Sequence, residues 1–296
     1  RWAQSGARAG AMRHVVGFCA RRSRAVSMAA APGSTRRLSE VAGHGRPDHL
    51  TRTAHEPRQE LVADARIALV REETPTIREL TLEVKDPDFV FRAGNWVDFF
   101  IDGVSKVGGY SMCSTPAELP RLRLAVKRSK HPPAAWCHSE AAVAGATVQV
   151  KAGGQFSWDP IVDGPGVGHL LFLAGGIGIN PLYSMLQAAS AVAPSALPEL
   201  RRISLLYSAS KPSELAFRGH LEEMAGQDGR LRLDLRVTRN EEEPWIGATG
   251  RIDAEAIAAA LAEAAAPTQE VLAYVCGPPA MTDSLTEVLT SELGLP

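Results

Sequence analysis

Cysteine is scarce in this chain of 296 residues, and its few copies lie far apart. The four cysteines show neither a readable disulfide pattern nor the Cys-x-x-Cys spacing of zinc and iron–sulfur sites. They are Cys19, Cys113, Cys137 and Cys276. We therefore expect no metal, and any redox chemistry needs an organic cofactor.

Net charge is also nearly absent, and so is an uninterrupted hydrophobic run. Lys and Arg total 32 against 33 Asp and Glu, so a generally basic nucleic-acid-binding protein is not indicated. A charge-free stretch covers residues 170–198, but Gly175, Gly176, Gly178 and Pro181 interrupt it. Such backbone would be left unsatisfied in a bilayer. We expect no transmembrane span and no nucleic-acid partner.

The near-neutral total hides an uneven distribution of charge. Residues 1–39 hold eight arginines and no acid, which leaves 24 basic against 33 acidic residues in the remainder. An arginine-rich, acid-free segment with serine and alanine is typical of a mitochondrial transit peptide, so we expect a mitochondrial location, in the matrix. A disordered basic arm that binds nucleic acid is the alternative interpretation of this segment.

The rest of the chain divides into two regions with different hydrophobic periods. Residues 40–58 are polar and predict a linker. Over residues 59–163, short segments such as 122–126 alternate apolar and polar residues, which predicts a small antiparallel β-barrel. Over residues 168–296, apolar strands such as residues 231–237 alternate with helical segments such as residues 213–225, which predicts a doubly wound parallel sheet. The sequence therefore predicts a two-domain protein, β followed by α/β.

Glycine-rich turns follow two of the predicted parallel strands. The first strand ends in the run Gly175–Gly178 before a helix near Pro181, and a later strand ends in Cys276–Pro279 before another helix. Glycine lets backbone N–H groups approach a ligand, and a helix N-terminus favours phosphate. Ligands of doubly wound sheets bind at the carboxyl ends of the strands. One such turn alone is equally compatible with tight packing, but the pair predicts a nucleotide site.

Together the two turns resemble the pyridine-nucleotide domain of the ferredoxin-NADP reductase superfamily, whose motifs are G-[GT]-x-G-[IV]-x-P and C-G-P-x-x-M. The resemblance implies that the first turn cradles the diphosphate of NAD(P)H and that Cys276, as a catalytic residue, lies beside the nicotinamide. A small buried hydrophobe is the other interpretation of Cys276. The implied nucleotide-binding residues are Gly175, Gly176, Ile177, Gly178, Asn180, Pro181, Cys276, Gly277, Pro278 and Met281.

In the barrel region, residues 108–114 resemble the flavin-binding strand of the same superfamily, R-x-Y-[ST]-x-x-S. The resemblance implies FAD as cofactor, with Tyr110 packed on the flavin ring and Ser111, the second catalytic residue, hydrogen-bonded near its reactive nitrogen. The implied flavin-binding residues are Gly109, Tyr110, Ser111, Met112, Cys113 and Ser114. Lys127 is a further candidate, because its charge could compensate for a missing arginine, although a solvated surface lysine is the other interpretation.

Two departures distinguish this chain from the superfamily pattern. Gly108 stands where the superfamily has an arginine, a bidentate partner for the flavin diphosphate. The second phosphate loop, usually Gly-x-x-Ser or similar, is replaced by residues 129–134, which contain no glycine. Both departures match the mitochondrial oxidoreductase NAD-binding domain-containing proteins, a branch of the superfamily that the chain resembles from about Glu60 onward. Relatives in the superfamily extend to a further C-terminal strand, so we expect the C-terminus to be incomplete.

The resemblance implies a flavin-dependent NAD(P)H oxidoreductase that passes a hydride from the nicotinamide to FAD and electrons to an unidentified acceptor, a protein among the candidates. Ser208 and Lys211 lie where relatives bind or reject a 2'-phosphate, but the arginine common in NADP-specific members is missing, so we favour NADH slightly. A non-catalytic NAD(P)H-binding sensor or interaction module on the same fold is the alternative. Gly108 is the feature that favours this alternative.

Overall fold

The structure is a computed structural model that describes residues 48–239 and 243–295, together with the backbone of a short strand, β1 (Gly17–Cys19). Apart from that strand, the predicted transit peptide, residues 1–39, lies outside the described residues. No helix in the described ranges is long and apolar enough to cross a membrane.

The first region forms a six-stranded antiparallel sheet that closes into a barrel. Its strand order is β5-β4-β7-β2-β3-β6. A bridge between Met112 and Leu124, and a 2.9 Å hydrogen bond from the Cys113 N–H to the Arg123 carbonyl, join the end of β5 to β6. The strands are β2 (Ala63–Thr74), β3 (Ile77–Val84), β4 (Trp96–Phe100), β5 (Gly108–Ser111), β6 (Arg121–Lys127) and β7 (Thr147–Gly153).

Part of the segment predicted as a linker packs against this barrel. Helix α1 (His49–Arg52) begins after Asp48, whose carboxylate accepts a hydrogen bond from the Thr51 N–H at 2.9 Å. His49 is buried, and its Nε2 lies 2.8 Å from Oδ1 of Asp98 in β4. Arg58 donates from Nε to the other oxygen of Asp98, also at 2.8 Å. Residues 48–58 are therefore anchored to the barrel by side-chain contacts.

The second region is a parallel sheet with helices on both faces, as the sequence predicts. Its strand order is β1-β12-β8-β9-β10-β11. The alternating side chains of β8 separate into two cores, because Phe172 joins one apolar cluster while Leu171 and Leu173 join another. The strands are β8 (His169–Gly175), β9 (Arg202–Ala209), β10 (Leu231–Val237), β11 (Ala248–Thr249) and β12 (Val271–Cys276).

Five helical segments complete the fold. Helix α4 begins at Arg218, later than the sequence pattern predicts, because a 3₁₀ turn at Pro212–Glu214 and the left-handed backbone of Phe217 (φ 61°) come first. The helices are α2 (Pro132–Cys137) in the barrel region, then α3 (Ile179–Ser190), α4 (Arg218–Gln227), α5 (Ala254–Ala264) and α6 (Pro279–Glu287), which continues into a π-helical turn at Val288–Glu292.

The barrel and the parallel sheet share one apolar core. Ile77, Cys113 and Ala125 of the barrel are fully buried in the same cluster as Leu182 and Met185 of α3. Burying apolar area across this boundary stabilises the two regions against each other. Their relative position is therefore fixed by packing, and it places the start of α3 against the barrel.

Candidate functional site

The two glycine turns lie side by side, because β8 and β12 are neighbours in the sheet and end at the same edge. Ala174 is paired with Cys276 in the parallel register. A Cβ atom added to Gly178 would lie 2.4 Å from the carbonyl oxygen of Cys276, and one added to Gly277 would lie 3.2 Å from the Cα of Gly175. The backbones of the two turns are thus in direct contact, which no side chain at Gly178 would permit.

Gly176 is the open residue of the first turn. Its backbone is left-handed (φ 52°), which favours glycine, and nothing lies within 4 Å of the position that a Cβ would take. Gly175 is covered, because its Cβ position lies 2.3 Å from Sδ of Met281. A ligand can therefore reach the backbone at Gly176, immediately before α3. Ile177 is half-buried beside it, and Pro181 is buried in the first turn of α3.

In the second turn, the thiol and the loop residues have different exposure. Cys276 is 5% exposed and belongs to the apolar cluster shared with the barrel, whereas Gly277 is half-buried and Pro278 is exposed. Met281 is half-buried and packs over Gly175. The structure therefore places the Cys276 side chain beneath the turn and leaves Gly277 and Pro278 as its outer surface.

One face of α3 is hydrogen-bonded to the barrel backbone. Asn180 Nδ2, Ser184 Oγ and Gln187 Nε2 each donate to a main-chain carbonyl, at the helical spacing i, i+4, i+7. The acceptors are Ala125, Ser114 and Cys113, at 2.8, 2.6 and 2.8 Å respectively. The amide nitrogen of Asn180 thus bonds the barrel, and nucleotide binding by Asn180 stays a prediction. Sequence reasoning missed Ser184 and Gln187, although polar residues at this spacing in an apolar helix were a visible signal.

Three of the predicted flavin contacts are buried, either inside the barrel or at its boundary with α3. Met112, Cys113 and Ser114 have no exposed side-chain surface. The Ser114 hydroxyl accepts a hydrogen bond from the Arg123 N–H at 3.0 Å, and its carbonyl accepts one from Ser184. Burial raises the pKa of the Cys113 thiol far above its usual range. The Cys113 side chain packs in the cluster shared with α3, Met112 packs in the barrel's own core, and the Ser114 hydroxyl is bonded within the barrel. None of the three side chains has exposed surface to offer a ligand.

Tyr110 and Ser111 are the half-buried residues of the predicted flavin strand. The Ser111 hydroxyl makes no hydrogen bond within the described ranges. The Tyr110 ring meets Phe99 edge-on, with ring centroids 5.6 Å apart. Burial raises the pKa of the Cys137 thiol to about 12, and a hydrogen bond with Tyr110 acts in the opposite direction. The strand thus presents one hydroxyl without a protein partner beside a partly exposed aromatic ring.

The two glycines before Tyr110 each leave room for a ring. A Cβ on Gly108 would lie 2.6 Å from Cε2 of Tyr110 and 3.1 Å from Cβ of Pro133. A Cβ on Gly109 would lie 2.1 Å from Nδ1 of His49, so the His49 ring covers that side of Gly109. The position of the superfamily's arginine is therefore filled by Tyr110 and α2, and any side chain at residue 108 would displace them.

The remaining predicted site residues lie at the rim of the two domains. Lys127 is exposed at the end of β6. Ser208 is 9% exposed near the end of β9, where it is paired with Gly175. Lys211 follows half-buried, just before the 3₁₀ turn at Pro212–Glu214. The structure thus brings Ser208 to the first glycine turn, whereas Lys127 belongs to the barrel side. Across the described residues, no group of three or more His, Cys, Asp or Glu side chains could hold a metal.

Comparison with known sequences matches this chain to one family model and to curated proteins. The family model of the oxidoreductase NAD-binding domain matches residues 172–287. Oxidoreductase NAD-binding domain-containing protein 1 of Bos taurus is 39% identical over 270 residues, covering 86% of this chain and 84% of the relative. Ferredoxin--NADP reductase B of Sorangium cellulosum (strain So ce56) is 31% identical over 240 residues, covering 79% of this chain and 93% of the relative.

Comparison with solved structures gives the same fold. A ferredoxin NADP+ reductase from Neisseria gonorrhoeae, solved with bound FAD and NADP, superposes with a TM-score of 0.62 and 19% sequence identity. The match covers 78% of this chain and 91% of that one. At this identity the likeness concerns the fold, a barrel followed by a parallel sheet.

Proposed function

Because this chain belongs to the family of oxidoreductase NAD-binding domain-containing protein 1, with a ferredoxin-NADP reductase among its relatives, we propose that it is an NAD(P)H oxidoreductase that delivers a hydride to a flavin. Electrons then pass to an acceptor that the residues do not identify. The observation that supports the proposal most is the contact between the two glycine turns, with Gly176 open at the start of α3.

In this proposal the first turn holds the diphosphate of the nicotinamide nucleotide. Gly176 lets the phosphates approach the backbone, and the N-terminal dipole of α3 favours their negative charge. Gly178 packs the turn against Cys276, so the outer residues Gly277 and Pro278 are positioned to flank the nicotinamide. Cys276 acts as a small, buried side chain under that turn, and positioning is the main contribution of these residues to hydride transfer.

The residues of the barrel fit one part of FAD and not the other. Ser111 offers a hydroxyl that bonds no other described residue, and Tyr110 offers a partly exposed ring, which suits the flavin ring system. A bound flavin would supply a two-electron acceptor for the hydride. The arginine and the glycine loop that hold the diphosphate of FAD in the superfamily are replaced here by Gly108 and by residues 129–134. The structure from Neisseria gonorrhoeae, which holds FAD and NADP, has the same fold. This likeness of fold is compatible with a flavin ring beside β5.

We propose NADH as the preferred nucleotide, because Ser208 and Lys211 are the polar groups near the second strand and no arginine stands between them to bind a 2'-phosphate. The alternative remains a non-catalytic NAD(P)H-binding sensor, in which the same turns bind the nucleotide and no hydride leaves it. One measurement, the consumption of NADH, distinguishes the enzyme from the sensor, since only the enzyme consumes it.

The test follows the visible flavin absorbance of the full chain, under anaerobic conditions with added flavin, while NADH or NADPH is supplied. We expect bleaching, faster with NADH. Ser111→Ala should slow it about tenfold, because one hydrogen bond to the flavin, worth about 1.4 kcal/mol, is lost. Ser105→Ala, in an exposed loop before β5, is the matched control and should not change the rate. NADH that binds without being consumed, with every flavin tried, would establish the sensor instead.

A further inference from the structure

We infer that this chain binds free flavins as exchangeable ligands, recognising the ring system and not the diphosphate of FAD. This inference rests on the proposed function, because it concerns the acceptor side of the same site. It starts from the disagreement between FAD and the residues around β5 and α2, and it names riboflavin, FMN and FAD as ligands of similar affinity.

The first observation is that, among the described residues, no cationic side chain occupies the place of the superfamily's arginine. At Gly108, an added Cβ would meet the Tyr110 ring at 2.6 Å and Pro133 at 3.1 Å. The Tyr110 ring packs edge-on against Phe99. Restoring an arginine at residue 108 would therefore not restore the contact with the diphosphate, because packed side chains occupy the space that its side chain would cross.

The second observation is that α2 offers few backbone donors. The helix begins with Pro132 and Pro133, and proline has no N–H. The next donor but one, the Ala135 N–H, is bonded to the His131 carbonyl at 2.9 Å. Among the first four residues of α2, the Ala134 N–H is thus the one donor for which the described residues show no acceptor, so this helix start offers a phosphate fewer N–H groups than a glycine loop.

The basic residues nearby do not replace these donors. Lys127, Arg128 and Lys130 are exposed around the end of β6. Exposed charges attract a phosphate weakly, and salt screens that attraction. A buried bidentate pair differs, because each charge-assisted hydrogen bond is worth about 1.5–3 kcal/mol, roughly tenfold or more in affinity. Without it, the phosphates of FMN and FAD add little to the binding of riboflavin.

The test is a fluorescence-quenching titration of the full chain with riboflavin, FMN and FAD. We expect the three Kd values to agree within about threefold, a difference below 1 kcal/mol, and any flavin that copurifies to be lost on gel filtration. An FAD affinity about tenfold or more above that of riboflavin, or one FAD retained per chain, would overturn the inference.

Variants of the exposed basic residues test whether their charges contribute to binding of the flavin phosphates. Combined Lys127→Ala, Arg128→Ala and Lys130→Ala should leave the ratio of FAD to riboflavin affinity unchanged. A fall in that ratio would show that these side chains read the diphosphate and would overturn the inference. If the chain binds FAD tightly and consumes NADH, this inference fails but the proposed function stands. If the chain binds no flavin and consumes no NADH, the proposed function fails as well.

Discussion

At the scale of single residues, the glycines of the first turn have different tasks, and the neighbours of each decide which. Gly178 faces backbone, with the Cys276 carbonyl oxygen 2.4 Å and its carbonyl carbon 2.6 Å from an added Cβ. Gly176 faces open space but has a left-handed backbone. Replacement of Gly178 therefore forces the two turns apart, while replacement of Gly176 strains only its own backbone.

We predict that Gly178→Ala destabilises the protein by about 1–3 kcal/mol, the usual cost of overpacking, and weakens NADH binding at least about tenfold, since the turns no longer meet. Chemical denaturation and an NADH titration measure the two effects. Gly219→Ala is the matched control, because Gly219 lies in α4 with nothing within 4 Å of its Cβ position. It should be neutral or slightly stabilising. Normal NADH affinity in Gly178→Ala would show that the contact between the turns has no role in binding.

The sequence marks the position of these glycine turns but not the direction of the polar side chains around them. Close backbone approach depends on a local turn, so the motif Gly175–Pro181 can be recognised from its own residues. Whether Asn180 or Ser114 faces a ligand depends on how α3 docks on the barrel, and that docking joins segments far apart in the chain. A motif match therefore identifies the turn but not the direction of every side chain in it.

At the scale of secondary-structure elements, the strands of the parallel sheet are predicted closely, because their apolar runs lie between clear turn signals. The observed bounds of β10, Leu231–Val237, agree with the predicted run. The start of α4 is predicted too early, since Phe217 adopts a left-handed backbone that the pattern does not reveal. The contact of α1 with the barrel is missed as well. Its partners His49 and Asp98 are 49 positions apart, so no local pattern records it.

The anchoring of residues 48–58 predicts a pH dependence. Burial alone would raise the pKa of Asp98, but hydrogen bonds from His49 and Arg58 outweigh it and hold that pKa below its usual range. A carboxyl group with a lowered pKa in the folded state contributes stability above its unfolded pKa of 3.8, and this is lost as the pH falls through the folded value.

We predict that Asp98→Asn lowers the free energy of unfolding by about 2–3 kcal/mol at neutral pH, because Arg58 and His49 lose their charged partner. The difference between variant and wild type should shrink as the pH falls below about 4. Urea denaturation across this pH range measures it. Asp64→Asn, with an exposed carboxylate bonded to Gln149, should cost little at any pH. A constant difference between Asp98→Asn and wild type at all pH values would contradict the linkage.

At the scale of the whole molecule, the barrel and the parallel sheet form one packing unit. Their shared apolar cluster and the three hydrogen bonds from α3 join them. At a second contact, the Phe217 N–H donates to the Glu73 carboxylate at the end of β2. Burial raises the pKa of Glu73. The fold class follows from the hydrophobic periodicity of the sequence. The packing of the barrel against the parallel sheet does not, because it depends on which faces of the two domains meet. It matters for function because the proposed hydride transfer needs β5 and the glycine turns held at a fixed distance.

We therefore predict that the full chain unfolds in a single transition. Tryptophan fluorescence reports mainly on the barrel side, where Trp96, Trp136 and Trp158 lie, while far-UV circular dichroism follows helices α3 to α6 of the parallel sheet. The two probes should give the same midpoint in urea.

The double variant Ser184→Ala, Gln187→Ala tests what joins the two regions. In this variant the carbonyls of Ser114 and Cys113 lose their donors, which costs about 1–3 kcal/mol each. The midpoint should fall and the two probes should separate, as expected when domains uncouple. Gln227→Ala, on the exposed face of α4, should keep the probes together. Separate midpoints in the wild-type chain would mean that the domains unfold independently, and the shared core would then not fix the distance that hydride transfer needs.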